Sequence, residues 1–297
     1  MTIDLIKKLE KKINRKISLK PIFQNDENQI LLKKFLYSQV YLKPENIFSI
    51  IKINFLNDRP IGYILCEENS KIIGFLGTIY SKRKIHNEIR NHCYLHSWIV
   101  SSKHRSQAFR LLTPILEEKI FISTFSPIKS LEGLYLKLGF TEKSFQSRLV
   151  FILPYKSLNN KKVNISENES FFKEVLSDDL KKIYEDHLLL KNNKIFIYFN
   201  DNKNDNIFVI AKKKYKKFCL PVLEIIYVSD LEKYEKNMVN INFELFKKFK
   251  TIFFKENFFN NKSIFSRKLY FTKKNKGYYK NVPKNFDYNF LYSELLD

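Results

Sequence analysis

The sequence predicts an α/β (α+β) chain built on a mixed, mostly antiparallel sheet flanked by helices, and three observations carry that expectation. Hydrophobic residues make up 44% of the 297 residues and aromatics 15%, with 28 Phe and 17 Tyr, which is ample apolar material for real cores. Short β-branched and aromatic runs recur between clusters of polar turn residues. In the N-terminal half these runs follow the order strand, strand, strand, helix, strand, helix, strand, that of a mixed-sheet domain.

Taken in order, Ile6, Leu9 and Ile13 put an apolar stripe on a helix at 3–15, and a second amphipathic segment runs from Asn28 to Gln39 through Ile30, Leu31, Phe35 and Leu36. A short helix follows Pro44, at 45–54. Residues 61–67 (IGYILCE) and 72–80 (IIGFLGTIY) are two strands separated by a turn of hairpin length. A third strand, Cys93 to Val100, leads into SSKHRSQAFRLLTPILEEK, whose spaced Leu and Ile mark a helix. Residues 119–125 form a short strand, 129–138 a helix ended by Gly139 as a left-handed cap, and 145–153 another strand.

The Asn-, Lys- and Ser-rich stretch from Pro154 to Ser170 reads as a linker and divides the chain into domains 1–155 and 156–297. Beyond it a helix is expected at 171–190, strands at 194–199, 206–213 and 219–228, a helix at 231–249 and a strand at 250–255. From Thr272 on, the composition predicts an irregular docked tail.

The net charge of +22 does not by itself imply nucleic acid as a partner. Only 8 of the 53 basic residues are Arg, the residue whose planar fork binds phosphate and guanine bidentately, and the excess of Lys accompanies an excess of Asn, Ile and Phe. Cys66, Cys93 and Cys219 lie far apart in apolar runs and read as small buried hydrophobes of a reducing compartment; no disulfide framework and no metal site is expected. No secretory signal or membrane span is legible, so a cytoplasmic location is expected. A G-x-S-x-G elbow, a Walker A loop, H-E-x-x-H and C-x-x-C are all missing, which removes the commonest competing enzyme classes.

The segment 93–140 carries three features in order: strand 94–100 (YLHSWIV), a basic turn 103–110 (KHRSQAFR) opening a helix, and 134–140 (LYLKLGF). Together they resemble the core of the GCN5-related N-acetyltransferase superfamily. The resemblance implies the acyl-CoA N-acyltransferase fold and acetyl-CoA, or another acyl-CoA, as cofactor. In that superfamily the bulged end of the strand pairs with the pantetheine arm, here Trp98, Ile99 and Val100. The turn's backbone N–H groups hold the pyrophosphate, here over Arg105, Ser106, Gln107, Ala108, Phe109 and Arg110. The physics supports such a site, because a helix start offers unpaired donors and partial positive charge.

The turn departs from the family pattern of Arg or Gln, two residues, Gly, one residue, then Gly or Ala. Arg105 fits, Ala108 stands at the first glycine and Arg110 at the second. Arg110 is expected to swing outward and add a phosphate contact; the alternative is an altered diphosphate site.

The resemblance puts Tyr135 where many members carry the tyrosine that protonates the departing thiolate; its other reading is a packed aromatic. His96 is the preferred base for the acceptor, since a period of two puts Tyr94, His96, Trp98 and Val100 on one face and an imidazole titrates in the right range. A structural histidine is the other reading there, and His92, Glu88, Glu67 or a water chain remain as bases. Trp98 either shapes an acyl pocket or belongs to the core.

Residues 206–255 resemble a degenerate copy of the same fold, with FCLPVLEIIYVSD in place of the cofactor strand; an unrelated α+β domain is the other reading. An Asp at the following helix start, Asp230, would repel a diphosphate, so the cofactor site is expected in the N-terminal copy alone. The reading is an acyl-CoA-dependent N-acyltransferase acting on a small-molecule or sugar amine. A catalytically silent binding module of this fold and an aminoacyl-tRNA-dependent transferase are the alternatives.

Overall fold

A computed structural model describes residues 17–39, 42, 47, 50–51, 55–67, 71–85, 88–125, 129–151, 163–188, 194–201, 206–216, 220–259, 270–282 and 286. The helix expected at 3–15, most of that at 45–54, Cys219 and residues 154–162 of the expected linker lie outside them. Two compact units are formed, one from Met1–Lys143, Lys276–Phe286 and Leu295–Asp297, the other from Ser144–Asn275 and Asp287–Glu294. The first break falls inside a strand, ahead of the 155/156 boundary expected from composition, and the chain from Lys276 to Phe286 returns to the first unit.

The first unit contains β1 (Ile17–Ile22), α1 (Gln29–Tyr37), β2 (Gly62–Glu67), β3 (Ile72–Ile85) and β4 (Glu88–Val100). A 3-10 helix (Ser102–Leu112), α2 (Thr113–Glu117), β5 (Phe121–Thr124) and, after a 3-10 turn, α3 (Glu132–Lys137) follow. Its strands lie in the order β1-β2-β3-β4-β5-β12, where β12 is Tyr270–Lys280. All neighbours are antiparallel except the parallel pair β4–β5. The helix expected after β4 is broken into a 3-10 stretch and a single α turn because Pro114 sits in the first turn of α2, where it has no N–H to give the preceding turn.

The second unit takes β6 (Thr141–Phe151), β7 (Val163–Ser166), α4 (Glu169–Val175), α5 (Asp178–Leu188), β8 (Lys194–Asp201), β9 (Ile207–Lys216), β10 (Leu220–Val228), α6 (Leu231–Phe249) and β11 (Phe253–Phe259). Its order is β7-β8-β9-β10-β11-β6, again antiparallel except for one parallel pair, β10–β11. The two units therefore repeat one pairing scheme. In each, the strand beside the parallel pair is supplied from elsewhere in the chain: β12 pairs with β5, and β6 with β11.

The tail expected from Thr272 is thus largely β12. Its lysines Lys273, Lys274 and Lys276 are exposed ahead of the consecutive buried run Gly277, Tyr278 and Tyr279, so composition averaged over the segment hides the buried end of the strand. The single helix expected at 171–190 is two, α4 and α5, separated by an extended Leu176.

In the first unit one core lies on the sheet face covered by the 3-10 helix, α2 and α3, around Leu76, Tyr80, Cys93, Leu95, Leu111, Ile115, Ile122 and Tyr135. The other face buries Ile64, Phe75 and Ile99 against Leu32 and Leu36 of α1. Cys66 and Cys93 are free thiols buried in these cores, and burial raises both thiol pKa values. In the second unit Val209, Leu223, Ile225 and Phe254 pack against Tyr234, Ile241 and Leu245 of α6. No helix among the described residues is long and apolar enough to cross a membrane.

Candidate active site

The site is built on an interruption in the sheet of the first unit. Strand β5 pairs with β4 only as far as Tyr94 and Ser123, so from Leu95 to Val100 β4 is hydrogen-bonded to β3 alone among the described strands. Within that stretch the register against β3 slips, from Gly77 opposite His96 to Phe75 opposite Ile99. Ser97, at φ 47°, is the extra residue of the resulting bulge.

A bulge reverses which side chains share a face. Cys93 and Leu95 point into the helix-covered core before it, while Trp98 and Val100 pack against that same core after it. Ile99 joins the opposite core with Phe75. Tyr94 and His96 therefore do not share a face with Trp98 and Val100, as an unbroken period of two had implied. His96 and Tyr135 lie on opposite faces of the sheet, with the opening between β4 and β5 between them.

His96 is buried, its ring edge-on to Phe75 at 6.4 Å and stacked on Tyr94 at 6.3 Å. It lies across Gly77, where a Cβ would come 2.0 Å from its Cε1, so only glycine is tolerated opposite it. Burial pushes its pKa from 6.5 down to about 3, opposed by the hydrogen bond that the ring donates to the Thr78 backbone. The ring is neutral across physiological pH, with Nδ1 at 3.1 Å from Ser97 Oγ.

Tyr135, on α3, is fully buried beside Trp98 (5.7 Å between ring centres), Phe140 (5.0 Å) and Tyr278 (5.4 Å). Its hydroxyl shares a hydrogen bond with Thr124, the last residue of β5, which brings it to the edge of the opening. Desolvation raises its pKa far above the usual tyrosine value, against the lowering effect of Thr124, so the phenol stays protonated.

The 3-10 helix exposes Arg105 and Ser106 and buries Gln107; Ala108, Phe109 and Arg110 are half-buried. Arg110 does not swing outward as expected. Its Nη2 donates to the Ile17 carbonyl of β1 at 3.1 Å, and its Nη1 lies 3.4 Å from Gln107 Oε1. The guanidinium finds its partners inward because β1, a strand not foreseen in the sequence, runs beside the turn.

Of the other candidate bases, Glu67 is committed to His104 Nε2 at 3.1 Å, whose Nδ1 lies 2.9 Å from Ser101 Oγ. Glu88 is exposed and paired with Arg90. His92 is fully buried between Ser123 Oγ (2.8 Å) and Ser81 Oγ (3.4 Å), and desolvation, helped by Arg83, holds its pKa well below the usual imidazole range. Sequence reasoning missed Thr124 and the Glu67–His104–Ser101 chain, because both depend on which strand ends meet.

The second unit repeats the interruption. Strand β10 slips register against β9 between Ile225 and Tyr227, and its pairing with β11 ends at Ile225 and Glu256. The following helix start differs: Asp230 accepts from Lys233 N at 3.0 Å and so caps α6 with its own carboxylate. Ser101, in contrast, makes no side-chain cap to its helix.

No family model and no curated protein matches the sequence. Solved structures do. A GCN5-related N-acetyltransferase from Anabaena variabilis ATCC 29413 is similar at a TM-score of 0.60 and 9% identity, over 90% of this chain and 73% of that one. A probable N-acyltransferase from Enterococcus faecalis V583 gives 0.60 and 9%, over 88% and 71%. The Saccharomyces cerevisiae N-myristoyltransferase, solved with myristoyl-CoA and inhibitors, gives 0.53 and 8%, over 90% and 81%. Identities this low establish fold alone, and with the repeated pairing scheme they establish this: the chain has the fold of the GCN5-related N-acetyltransferase superfamily, in two tandem copies.

Proposed function

We propose that this protein is an acyl-CoA-dependent N-acyltransferase whose first unit holds the cofactor, and the observation that carries the proposal is the opening beside the Ser97 bulge. There β4 leaves β5 with its edge unpaired toward the opening, so the backbone around Trp98, Ile99 and Val100 is available to the amides of a pantetheine arm. The helix start that follows exposes Arg105 and Ser106, with Gln107, Ala108, Phe109 and the inward-turned Arg110 forming its inner side, and offers donors to a diphosphate. The similar structures include acetyl- and myristoyl-transferring proteins, which supports an acyl-CoA, with acetyl-CoA the simplest member.

In this reading the thioester sits in the opening and the acceptor amine arrives from the His96 face. The amine nitrogen attacks the thioester carbonyl carbon, the C–S bond breaks, and the thiolate takes a proton from Tyr135, which Thr124 orients and which regains a proton from solvent before the next turnover. His96 accepts a hydrogen bond from the amine and orients it; with a pKa near 3 it does not carry the proton away, which passes to solvent. The acceptor is a small-molecule or sugar amine.

The inward-turned Arg110 favours a second reading, a silent module that keeps the fold without turnover. Calorimetric titration with acetyl-CoA, followed by thiol release in the presence of a panel of amines, separates the two. Binding with amine-dependent thiol release is the expected result. Binding without release under any amine supports the module, and no binding of acetyl-CoA or free CoA removes the acyltransferase reading.

A further inference from the structure

Four aromatic rings close the helix-covered side of the opening. Trp98 meets Tyr135 edge-on at 5.7 Å and 71°, and Tyr135 stacks on Tyr278 at 5.4 Å and meets Phe140 at 5.0 Å. Tyr135, Tyr278 and Phe140 are at most 4% exposed, so the block is solid behind Trp98. Only Trp98 is half-buried, and it stands at the bulge itself with Phe109, Leu131 and Leu134 at the same border of the core. On the opposite face Tyr94 stacks on Phe125 at 5.7 Å and on His96 at 6.3 Å, and the imidazole fills the space over Gly77.

We infer that Trp98 sets the acyl chain length, admitting two- or three-carbon acyl groups and excluding long ones. The inference rests on the cofactor reading above. An alkyl chain leaving the thioester in the helix-ward direction meets the indole first, and behind it three fully packed rings that close-packed interiors do not let yield. Trp98 is the ring whose loss makes room continuous with the opening, since the other three are held on all sides. Among the described residues its Nε1–H has no hydrogen-bond partner, so no bond resists its replacement.

The test compares acetyl-, hexanoyl- and decanoyl-CoA, with free CoA as control, on the full chain and on Trp98→Ala, Trp98→Leu and Trp98→Phe. Binding is read by calorimetry and folding by thermal melting. The wild type should bind acetyl-CoA at least as tightly as free CoA and decanoyl-CoA roughly tenfold or more weakly. Each pair of methylenes admitted into the vacated space is worth roughly tenfold, so Trp98→Ala should reverse the order. Trp98→Phe, which keeps a ring there, should retain the wild-type order. If Trp98→Ala does not fold, Trp98→Leu serves the same comparison. Wild-type protein that binds decanoyl-CoA as tightly as acetyl-CoA, or an unchanged preference in the folded Ala or Leu variant, overturns the inference and leaves the cofactor reading standing. Failure of wild type to bind free CoA as well as the thioesters removes both.

Discussion

Lys280, on the C-terminal strand β12, donates from Nζ to the Leu138 carbonyl at 2.6 Å and so caps the helix that carries Tyr135. The same ammonium lies 3.0 Å from where a Cβ on Gly139 would stand, and Gly139 adopts φ +80°. The glycine of LYLKLGF is therefore required twice, for its left-handed backbone and for the lysine's approach. Lys280→Met should lower stability by roughly 1–2 kcal/mol, the range of a hydrogen bond from a charged group discounted for partial exposure. Chemical denaturation measures it, and an unchanged midpoint would show the cap to be dispensable.

The position of β12 leads to a larger effect. Besides Lys280, Tyr278 donates to Glu142 at 2.9 Å, Lys276 bridges Glu132 and Glu142 at 3.1 Å each, and Asn281 donates to the Ile120 carbonyl at 2.8 Å. A chain ending at residue 269 leaves the β5 edge open and Tyr135 without Tyr278. Fragment 1–155 has the same defect and should fail to fold cooperatively, as judged by circular dichroism and dispersion of its amide resonances. A cooperatively folded fragment would contradict the role given to β12.

Gly77→Ala tests the imidazole's placement. A methyl 2.0 Å from His96 Cε1 forces the ring out or the strands apart, and overpacking of this kind costs roughly 1–3 kcal/mol. Thermal melting should fall accordingly; a neutral effect would mean that His96 has free space to move.

Acid should destabilise the protein through His96. Its folded pKa, about 3, lies below the unfolded 6.5, so the unfolded state binds the proton more readily between those values. The stabilising preference for the neutral ring is complete above pH 6.5 and declines as the pH falls from 6.5 toward 3, by about 2 kcal/mol between pH 7 and 5. His92, also shifted down, acts in the same direction. His96→Gln should lose stability less steeply over this interval, and an identical slope would place His96 in contact with water.

Tyr135→Phe removes only the hydroxyl that shares a hydrogen bond with Thr124. Acyl-CoA affinity should hold while amine-dependent thiol release falls roughly 10²–10⁴-fold, toward the low end because a thiolate leaves readily. Release at the wild-type rate would leave Tyr135 as a packing residue.

The cores of both units were legible in sequence because β2 to β5 and β8 to β11 are apolar runs broken by turn residues, and Gly139 marked the end of α3. Strands β1, β7 and β12 were not. ISLKPI contains a proline, VNIS lies in a polar stretch, and the exposed lysines of YFTKKNKGYYK outweigh its buried tyrosines in composition. They are recognisable as strands only by the partners they meet far along the chain. The candidate site suffered from one local event: the bulge at Ser97 adds a residue that period-two reading does not count, moving Trp98 to the face opposite His96. Arg110 turned inward for the same kind of reason, since its partner is the unforeseen β1.

The central claim is that the opening at the Ser97 bulge and the helix start beside it hold an acyl-CoA. Amide hydrogen exchange with and without CoA tests it most directly, because it reports where along the chain the ligand acts. The account predicts slowed exchange over residues 97–110 and no change over 226–236, where Asp230 already caps the helix. Protection at 226–236 instead, or nowhere at saturating CoA, would contradict it.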